Sequence, residues 1–565
     1  MMLRSFGIVG SAIALWPSSG WAKPDPGSIC RLLAREMREM HMSAEACKAH
    51  FHRAAAPPGS YIGTPGNDKF VGTFFSDDFE MSQGGNDTVK GRAENDYFHF
   101  GGAFTGRDHI DGGSQTFRDV LDLYGDYSSG VTFGPKTLVN VEEIDLYGSF
   151  ADGGQNYKLT LDDATVASGK FLYVYLWDQL RENDFLDLDA TRETNGDIYV
   201  QDLAAATDHI VMGGGNDYVG SGRVINDVVD GGGGWNVINL YAAGTSLNVS
   251  LYLQGTPQDI GNGHILTLDH FQGLKGSFNT DTLIGDDNDN FIDSNGGDDN
   301  IQGNGGNDLI WIDDDYTAMT VDGGSGNNTL SFEVSYGSGA TFSLALQGTA
   351  QATGQGGTVN ATKFVDLVGA DMFNDTLSGN SAANRIFGGG GDDLLNGNDG
   401  NDSLYGDAIY GKRFTDSAHI GMSGFKIRSS GNGKDSLNGG AGNDSLIGGL
   451  GADMLTGGSG TDTFILQALG DALPGSGYRD IIADFSQQQG DKIDLHAIDA
   501  DTTKKGNQAF QLGGSAFTGT AGELIQFSGG SGNTIVAGDV NGDSVADMEI
   551  ELPQAITLAA TDFAL

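Results

Sequence analysis

Gly439-Gly440-Ala441-Gly442-Asn443-Asp444 and Gly448-Gly449-Leu450-Gly451-Ala452-Asp453 are two copies of one nine-residue unit, and the register they set decides the fold. Around them Asp435, Asp444, Asp453 and Asp462 stand nine apart, and Leu437, Leu446, Leu455 and Phe464 each follow two residues later. Working outward, Asp375, Asn384, Asp393 and Asp402 keep the same step, as do Asp281, Asn290, Asp299 and Asp308. Two looser blocks carry Asp68 and Asp77 then Asp87 and Asp96, and Asp208 and Asp217 then Asp227 and Asn236, each with one inserted residue between its pairs.

A short fixed period that returns in block after block is the mark of a solenoid rather than of a globule. Each position has a physical task. Glycine reaches positive φ and lets carbonyl oxygens come close together, which a Cβ resists. Aspartate adds a hard anionic oxygen, and calcium takes six to eight oxygens at about 2.3–2.6 Å, a shell that carbonyls and carboxylates of neighbouring loops can share. The apolar residue between two outward side chains fits a three-residue strand with one inward side chain. Two nonapeptides then close one turn of a parallel β-roll, stacking Asp on Asp along each edge. The expected class is all-β, a parallel β-roll or β-helix solenoid with a short N-terminal helical hairpin. The expected metal ligands are the repeat residues named above, from Asp68 to Asp462, holding several calcium ions. Each turn buries about two apolar side chains while its carboxylates repel one another, so the roll is expected to be largely unfolded without calcium.

Composition agrees. Glycine makes up 91 of 565 residues, against a usual share of about 7%. Asp and Glu number 76 against 30 Lys and Arg, a net charge of −46. Such a chain is excluded as a nucleic-acid or anionic-membrane binder. Met1 to Ala22 reads as a Sec-type signal, with Arg4 ahead of an apolar run from Phe6 to Trp16. No other run is long and apolar enough to span a bilayer, so the mature chain is expected to have no transmembrane segment.

The two cysteines, Cys30 and Cys47, fall in a segment unlike the rest. From Lys23 to Arg53 it carries six basic residues against four acidic, and Ile29, Leu32, Leu33, Met37 and Met40 follow helical spacing. A helical hairpin stapled by a Cys30–Cys47 disulfide is expected there, followed by a linker at Pro57-Pro58-Gly59-Ser60.

The expected order is a signal at 1–22, hairpin and linker at 23–59, repeats at 60–114, an irregular β segment at 115–205 and repeats at 206–239. A β spacer at 240–279, repeats at 280–328, a second spacer at 329–370, repeats at 371–466 with an insertion at 405–430, and a C-terminal module at 467–565 follow. The non-repeat stretches alternate apolar and polar residues, as in Phe171-Leu172-Tyr173-Val174-Tyr175-Leu176. They read as irregular turns continuing the solenoid, with inserted β-sandwich modules as the alternative. The insertion, with Lys412, Arg413, Lys426 and Arg428, reads as a surface loop.

These nonapeptides resemble the repeat-in-toxin (RTX) family. The resemblance implies a secreted, extracellular, calcium-binding protein of a Gram-negative bacterium. From Gly460 onward the chain is similar to the C-terminal domain of the serralysin metalloproteases, on Gly460-Thr461-Asp462-Thr463-Phe464, Asp480-Ile481-Ile482-Ala483-Asp484-Phe485, Asp491-Lys492-Ile493-Asp494-Leu495 and Ala537-Gly538-Asp539-Val540-Asn541-Gly542-Asp543. Asp539, Asn541, Asp543 and Asp547 have EF-hand-like spacing, but Ser544 and Ile550 replace the loop Gly and the bidentate Glu. The ending Thr561-Asp562-Phe563-Ala564-Leu565 is similar to the tails read by type I exporters. This competes with the N-terminal signal, which the cysteine placement favours.

The protease half is missing. No His-Glu-x-x-His pair of zinc ligands occurs, His41 with Glu45 and the pair His50 and His52 being fragments, and no Gly-x-Ser-x-Gly elbow is present. The reading favoured is a non-catalytic extracellular scaffold, matrix or surface protein, with extracellular polysaccharide or the cell surface as candidate partner. The alternatives are an extracellular enzyme, a polysaccharide lyase, epimerase or hydrolase with an unrecognised site in 115–279, or an adhesin.

Overall fold

Three-residue strands separated by glycine turns give a chain that advances one strand at a time. The computed structural model describes residues 59–565 apart from short internal stretches, the longest at 411–426. The signal segment, Cys30, Cys47, His41, His50, His52, Lys412, Arg413 and Lys426 lie outside the described residues.

Twenty strands join side by side, in parallel, into one long sheet that starts at Gly59–Ile62 and ends at Phe563–Ala564. At the usual spacing of about 4.8 Å between strands it runs for about 90 Å. The strands that alternate with these in sequence form further sheets of four, seven, six and ten strands. Both sides share one core. Along the long sheet each strand contributes one inward side chain, so Phe79 lies beside Phe98, Phe98 beside Leu121, and the column continues through Ile292 and Ile310 to Leu446 and Phe464. The molecule is an all-β parallel roll.

In the repeats the strands are short and read intermediate–buried–intermediate, as in Thr282–Ile284 and Ser403–Tyr405. Glycine permits the turns between them. Gly440 and Gly442 sit at φ of 109° and 148°, and a Cβ on Gly442 would overlap the carbonyl oxygen of Gly400 one turn away.

Residues 115–205 run in the same two layers with longer strands. Phe171–Trp177 lies between Glu143–Tyr147 and Asp197–Leu203, and Tyr157–Thr160 pairs with Leu186–Asp189, all in parallel. Their core joins aliphatic side chains such as Leu172, Val174 and Leu176 to the rings of Tyr127, Phe133 and Tyr157. Tyr157 is fully buried, and its hydroxyl donates to the carbonyl oxygens of Tyr147 at 2.7 Å and Leu123 at 3.2 Å.

The two spacers are copies of one another, which the nine-residue search did not detect. Each has a short 3-10 turn, Leu251–Leu253 and Leu344–Leu346, and a small antiparallel pair. In each a glutamine closes the turn. Gln254 Nε2 donates to the Phe271 carbonyl at 2.9 Å and Gln347 Nε2 to the Phe364 carbonyl at 2.9 Å, while the amides of both phenylalanines donate back. The insertion near 405–430 leaves the roll on an antiparallel stem, Ala408–Tyr410 with Ile427–Ser429, and the stack resumes in register beyond it. At the C-terminal end Glu523–Ser528, Thr534–Asp539 and Met548–Leu552 form an antiparallel meander beside the last turns.

Candidate metal centre

Each nonapeptide ends its turn on an aspartate that folds back into the stack. On one edge of the C-terminal block the Asp375 amide donates to Asp393 Oδ1, Asp393 to Asp435, Asp435 to Asp453 and Asp453 to Asp480, at 2.8–2.9 Å. The other edge runs Asn384, Asp402, Asp444, Asp462 and Asp491, at 2.7–3.1 Å. The middle block repeats the pattern, Asp281 to Asp299 and Asn290 to Asp308. In the looser blocks Asp68 donates to Asp87, Asp77 to Asp96 and Asp208 to Asp227.

One oxygen of each carboxylate in these ladders is therefore used by the backbone, and in many of them the other is left over. The Oδ2 atoms of Asp96, Asp217, Asp299, Asp308, Asp393, Asp402, Asp435, Asp444, Asp453 and Asp462 are buried and have no hydrogen-bond partner among the described residues. Burying an unpaired carboxylate oxygen is costly, so a whole row of them needs a physical reason. Beside Asp96, Asp308, Asp393, Asp402, Asp435 and Asp444 lies a cradle kept open by glycine, with a second glycine's carbonyl oxygen facing the carboxylate. A Cβ on Gly397 would be pressed between Asp402 Oδ2 and the carbonyl oxygen of Gly439, and one on Gly439 between Asp444 Oδ2 and the carbonyl of Gly457. Clustered carboxylate and carbonyl oxygens, with no nitrogen or sulfur, form a donor set for a hard cation such as calcium.

The electrostatics agree. Burial, the main cause, pushes Asp435 up to about 9, Asp299 to about 8, and Asp96, Asp308, Asp393, Asp402 and Asp453 to about 7. Asp217 is raised well above the ordinary carboxylate range for the same reason. With no cation beside them these groups hold protons.

Not every expected ligand sits in such a cradle. Asp77, Asp281 and Asp375 spend both oxygens on their own chain, Asp281 on the amides of Leu247 and Ser277 and Asp375 on those of Ala340 and Ala370. Asp68 is partly exposed and takes the Thr64 amide and hydroxyl. Asp87 accepts from the Asp68 amide and Asp227 from the Asp208 amide, whereas Asp208 takes the Leu186 amide. At Asn290 and Asn384 Oδ1 accepts amides of their own loops, those of Asp286 and Asn380, while Nδ2 donates to carbonyls of the preceding turn. Asn236 and Asn328 take the inter-turn Oδ1 role, accepting the amides of Asp217 and Asp308.

The stack also contains residues that the nine-residue register skips. Asp119, Asp407, Asp480 and Asp491 lie in the same edges, and Asp119 Oδ2 and Asp407 Oδ2 are likewise buried and unpartnered. Their Asp-x-apolar signature was available at Asp119 and Asp491, but the spacing to the preceding aspartate is 23 and 29 residues. In the EF-hand-like loop the carboxylates turn to the loop's own amides. Asp539 accepts from Gly542 and Ser544, and Asp547 from Val540.

A second cluster occupies the outward face of the long sheet. His99 Nε2 lies 3.0 Å from Asp78 Oδ1, and its Nδ1 pairs with Asp122. Asp145 stands beside Asp122 on the next strand, 6% exposed. Its Oδ1 meets no hydrogen-bond donor in normal geometry among the described residues. Arg118 bonds Glu143 at 2.7 Å, with its guanidinium carbon 3.5 Å from the Tyr173 ring centroid.

Comparison with known proteins places this geometry. Residues 82–103, 276–310, 370–408 and 429–464 match the RTX calcium-binding nonapeptide repeat family. No curated protein matches the chain. The AlgE6R3 subunit of the Azotobacter vinelandii mannuronan C5-epimerase is 24% identical over 34% of this chain and 78% of its own, with a TM-score of 0.21. The extracellular lipase LipA of Serratia marcescens is 16% identical over 60% of this chain, which spans 45% of the lipase, with a TM-score of 0.16. The matched segments are the blocks whose aspartates stack along the edges of the roll, and the chain thus carries RTX calcium-binding nonapeptide repeats.

Proposed function

We propose that the chain is an extracellular protein whose roll folds on binding calcium and which then serves as a non-catalytic scaffold, matrix or surface protein. The observation that carries this reading is the row of buried Oδ2 atoms without partners among the described residues, those of Asp96, Asp308, Asp393, Asp402, Asp435 and Asp444 each beside a glycine carbonyl. The ligands would be Asp96, Asp217, Asp299, Asp308, Asp393, Asp402, Asp435, Asp444, Asp453 and Asp462 with the neighbouring Gly carbonyls. Bound calcium would neutralise the stacked carboxylates and tie adjacent turns together, so that binding energy becomes folding energy.

Folding after export suits the C-terminus. Phe563 is buried and Phe563–Ala564 is the last strand of the long sheet, paired with Lys492–Asp494. A tail read by a type I exporter would be accessible only before that strand docks. No helix among the described residues is long and apolar enough to cross a membrane. Replacing Asp435, Asp444, Asp453 and Asp462 together by Asn tests the assignment. Equilibrium dialysis should find fewer calcium ions per chain, whereas an unchanged content would contradict the ligand set.

A second reading, an enzyme acting on extracellular polysaccharide, is favoured by one observation. Asp122 and Asp145 sit one strand apart, about 4.8 Å, and burial together with Glu143 and Asp122 raises Asp145 well above the ordinary carboxylate range. A protonated carboxyl beside a second one is the arrangement that glycoside cleavage uses. Depolymerisation of an acidic polysaccharide that disappears in Asp145→Asn would support this reading, and activity unaffected by Asp145→Asn would remove it.

A further inference from the structure

The N-terminal end of the roll is bare among the described residues. The strand Gly59–Ile62 pairs only with Asp77–Glu80, and Lys69–Val71 pairs with Thr88–Ala93, so the first turn leaves one edge of each sheet open. Its two inward rings, Tyr61 and Phe70, lie 5.5 Å apart and are only partly covered, although Phe79 and Val89 one turn further in are fully buried. Around the same end Ile62, Val71, Phe74 and Phe75 are 68%, 55%, 67% and 62% exposed. At the opposite end the meander covers the last turns of one sheet, and its Leu524, Val536 and Met548 are fully buried. An open sheet edge with apolar fringes invites pairing with other chains, and solenoids need a cap there.

We propose that this end face is the docking surface for the preceding segment of the same chain, residues 23–58, which caps the first turn. Connectivity places the segment there, since Pro58 leads directly into the edge strand at Gly59. Ile29, Leu32, Leu33, Met37 and Met40 recur at helical spacing and supply an apolar stripe for Tyr61, Phe70 and Phe75 to cover. Charge is complementary. The segment from Lys23 to Arg53 has six basic residues against four acidic, whereas the end face carries Asp68, Asp78 and Glu80 against Lys69 and Arg92, within a chain of net charge −46. A Cys30–Cys47 bridge would hold the cap as a unit while the calcium-poor end of the roll forms. This cap is independent of the function of the roll itself.

Photo-crosslinking in the calcium-loaded full chain tests it. A benzoylphenylalanine placed at Phe75, with a control at Tyr478, which is 64% exposed elsewhere on the molecule, is irradiated and the linked peptides are sequenced. The expected product joins position 75 to residues 23–58 of the same chain, is absent at position 478, and is lost in Leu33→Asp while the β signal is retained. Crosslinked dimers in place of the intrachain product would overturn the proposal in favour of a second copy on this face. No product above the control at position 75 would overturn it as well.

Discussion

The block at 371–466 and the segment at 115–205 share the same two layers yet are stabilised in different ways. In the first, each strand supplies a single inward side chain, aliphatic as at Leu395, Leu437 and Leu446 except for Phe464, and both edges carry buried carboxylates most of which have a spare oxygen. In the second, longer strands bring several inward side chains each, as Leu172, Val174 and Leu176 on one strand, the rings of Tyr127, Phe133 and Tyr157 join them, and the Tyr157 hydroxyl satisfies a carbonyl. The difference teaches that the nonapeptide trades core volume for charge. On the proposed reading such a block folds only when its edges are neutralised, whereas the segment with longer strands has its own cohesion.

The largest expected effect of that contrast is regional. On adding chelator to the calcium-loaded chain, amide hydrogen exchange should accelerate by orders of magnitude at 436–464 and far less at 157–176. Equal acceleration in both regions would break the comparison.

Glycine substitutions sharpen it next. Gly442→Ala in the repeat would overlap the Gly400 carbonyl and is expected to destabilise the calcium form by more than about 3 kcal/mol. Gly169→Ala in the segment with longer strands has positive φ of 71° but no neighbour within 4 Å, and should cost about 1 kcal/mol. Calcium-saturated thermal melts separate the two.

A smaller effect reports on charge. Asp435→Asn keeps the Oδ1 acceptor for the amide of the preceding turn, as Asn236 and Asn328 do naturally, and removes the buried carboxylate. It is expected to raise the calcium midpoint of folding while leaving the chelated chain as stable or more so. A loss of stability that is the same with and without calcium would assign Asp435 a purely structural role.

The smallest effect is the pH dependence. Asp435, near 9, and Asp299, near 8, have pKa values raised by burial, so the metal-free folded chain binds protons more tightly than the unfolded one. That contribution is fully present below the ordinary carboxylate range and is lost as pH rises through about 7 to 9. In chelator, β signal should therefore increase as pH falls from 9 to 5.5, whereas in limiting calcium it should decrease because protons displace the cation. Parallel trends in both buffers would contradict the protonated metal-free edges.

The regular blocks were legible because every constraint repeats, the Gly at Gly442, the Asp at Asp444 and the apolar residue at Leu446, so one reading applied many times. The rest was obscured by changes of step. Asp119 and Asp491 join the stack at intervals of 23 and 29 residues, where only the edge hydrogen bonds reveal the register. The duplicated spacers share the run Ser250-Leu251-Tyr252-Leu253-Gln254-Gly255-Thr256 with Ser343-Leu344-Ala345-Leu346-Gln347-Gly348-Thr349, a likeness that lies outside the nine-residue register, and the pairing of Gln254 with Phe271 and Gln347 with Phe364 gives it a structural reason. The cluster of His99, Asp122 and Asp145 could not be read from sequence, since it depends on which residues face outward on three adjacent strands.

The most direct test is far-ultraviolet circular dichroism of the full chain titrated with calcium, with magnesium as the control. The account predicts a cooperative gain of β signal with calcium that magnesium does not reproduce, because a small octahedral ion that retains its waters suits this carbonyl and carboxylate cradle poorly. A chain that is already fully folded in chelator at neutral pH would contradict it.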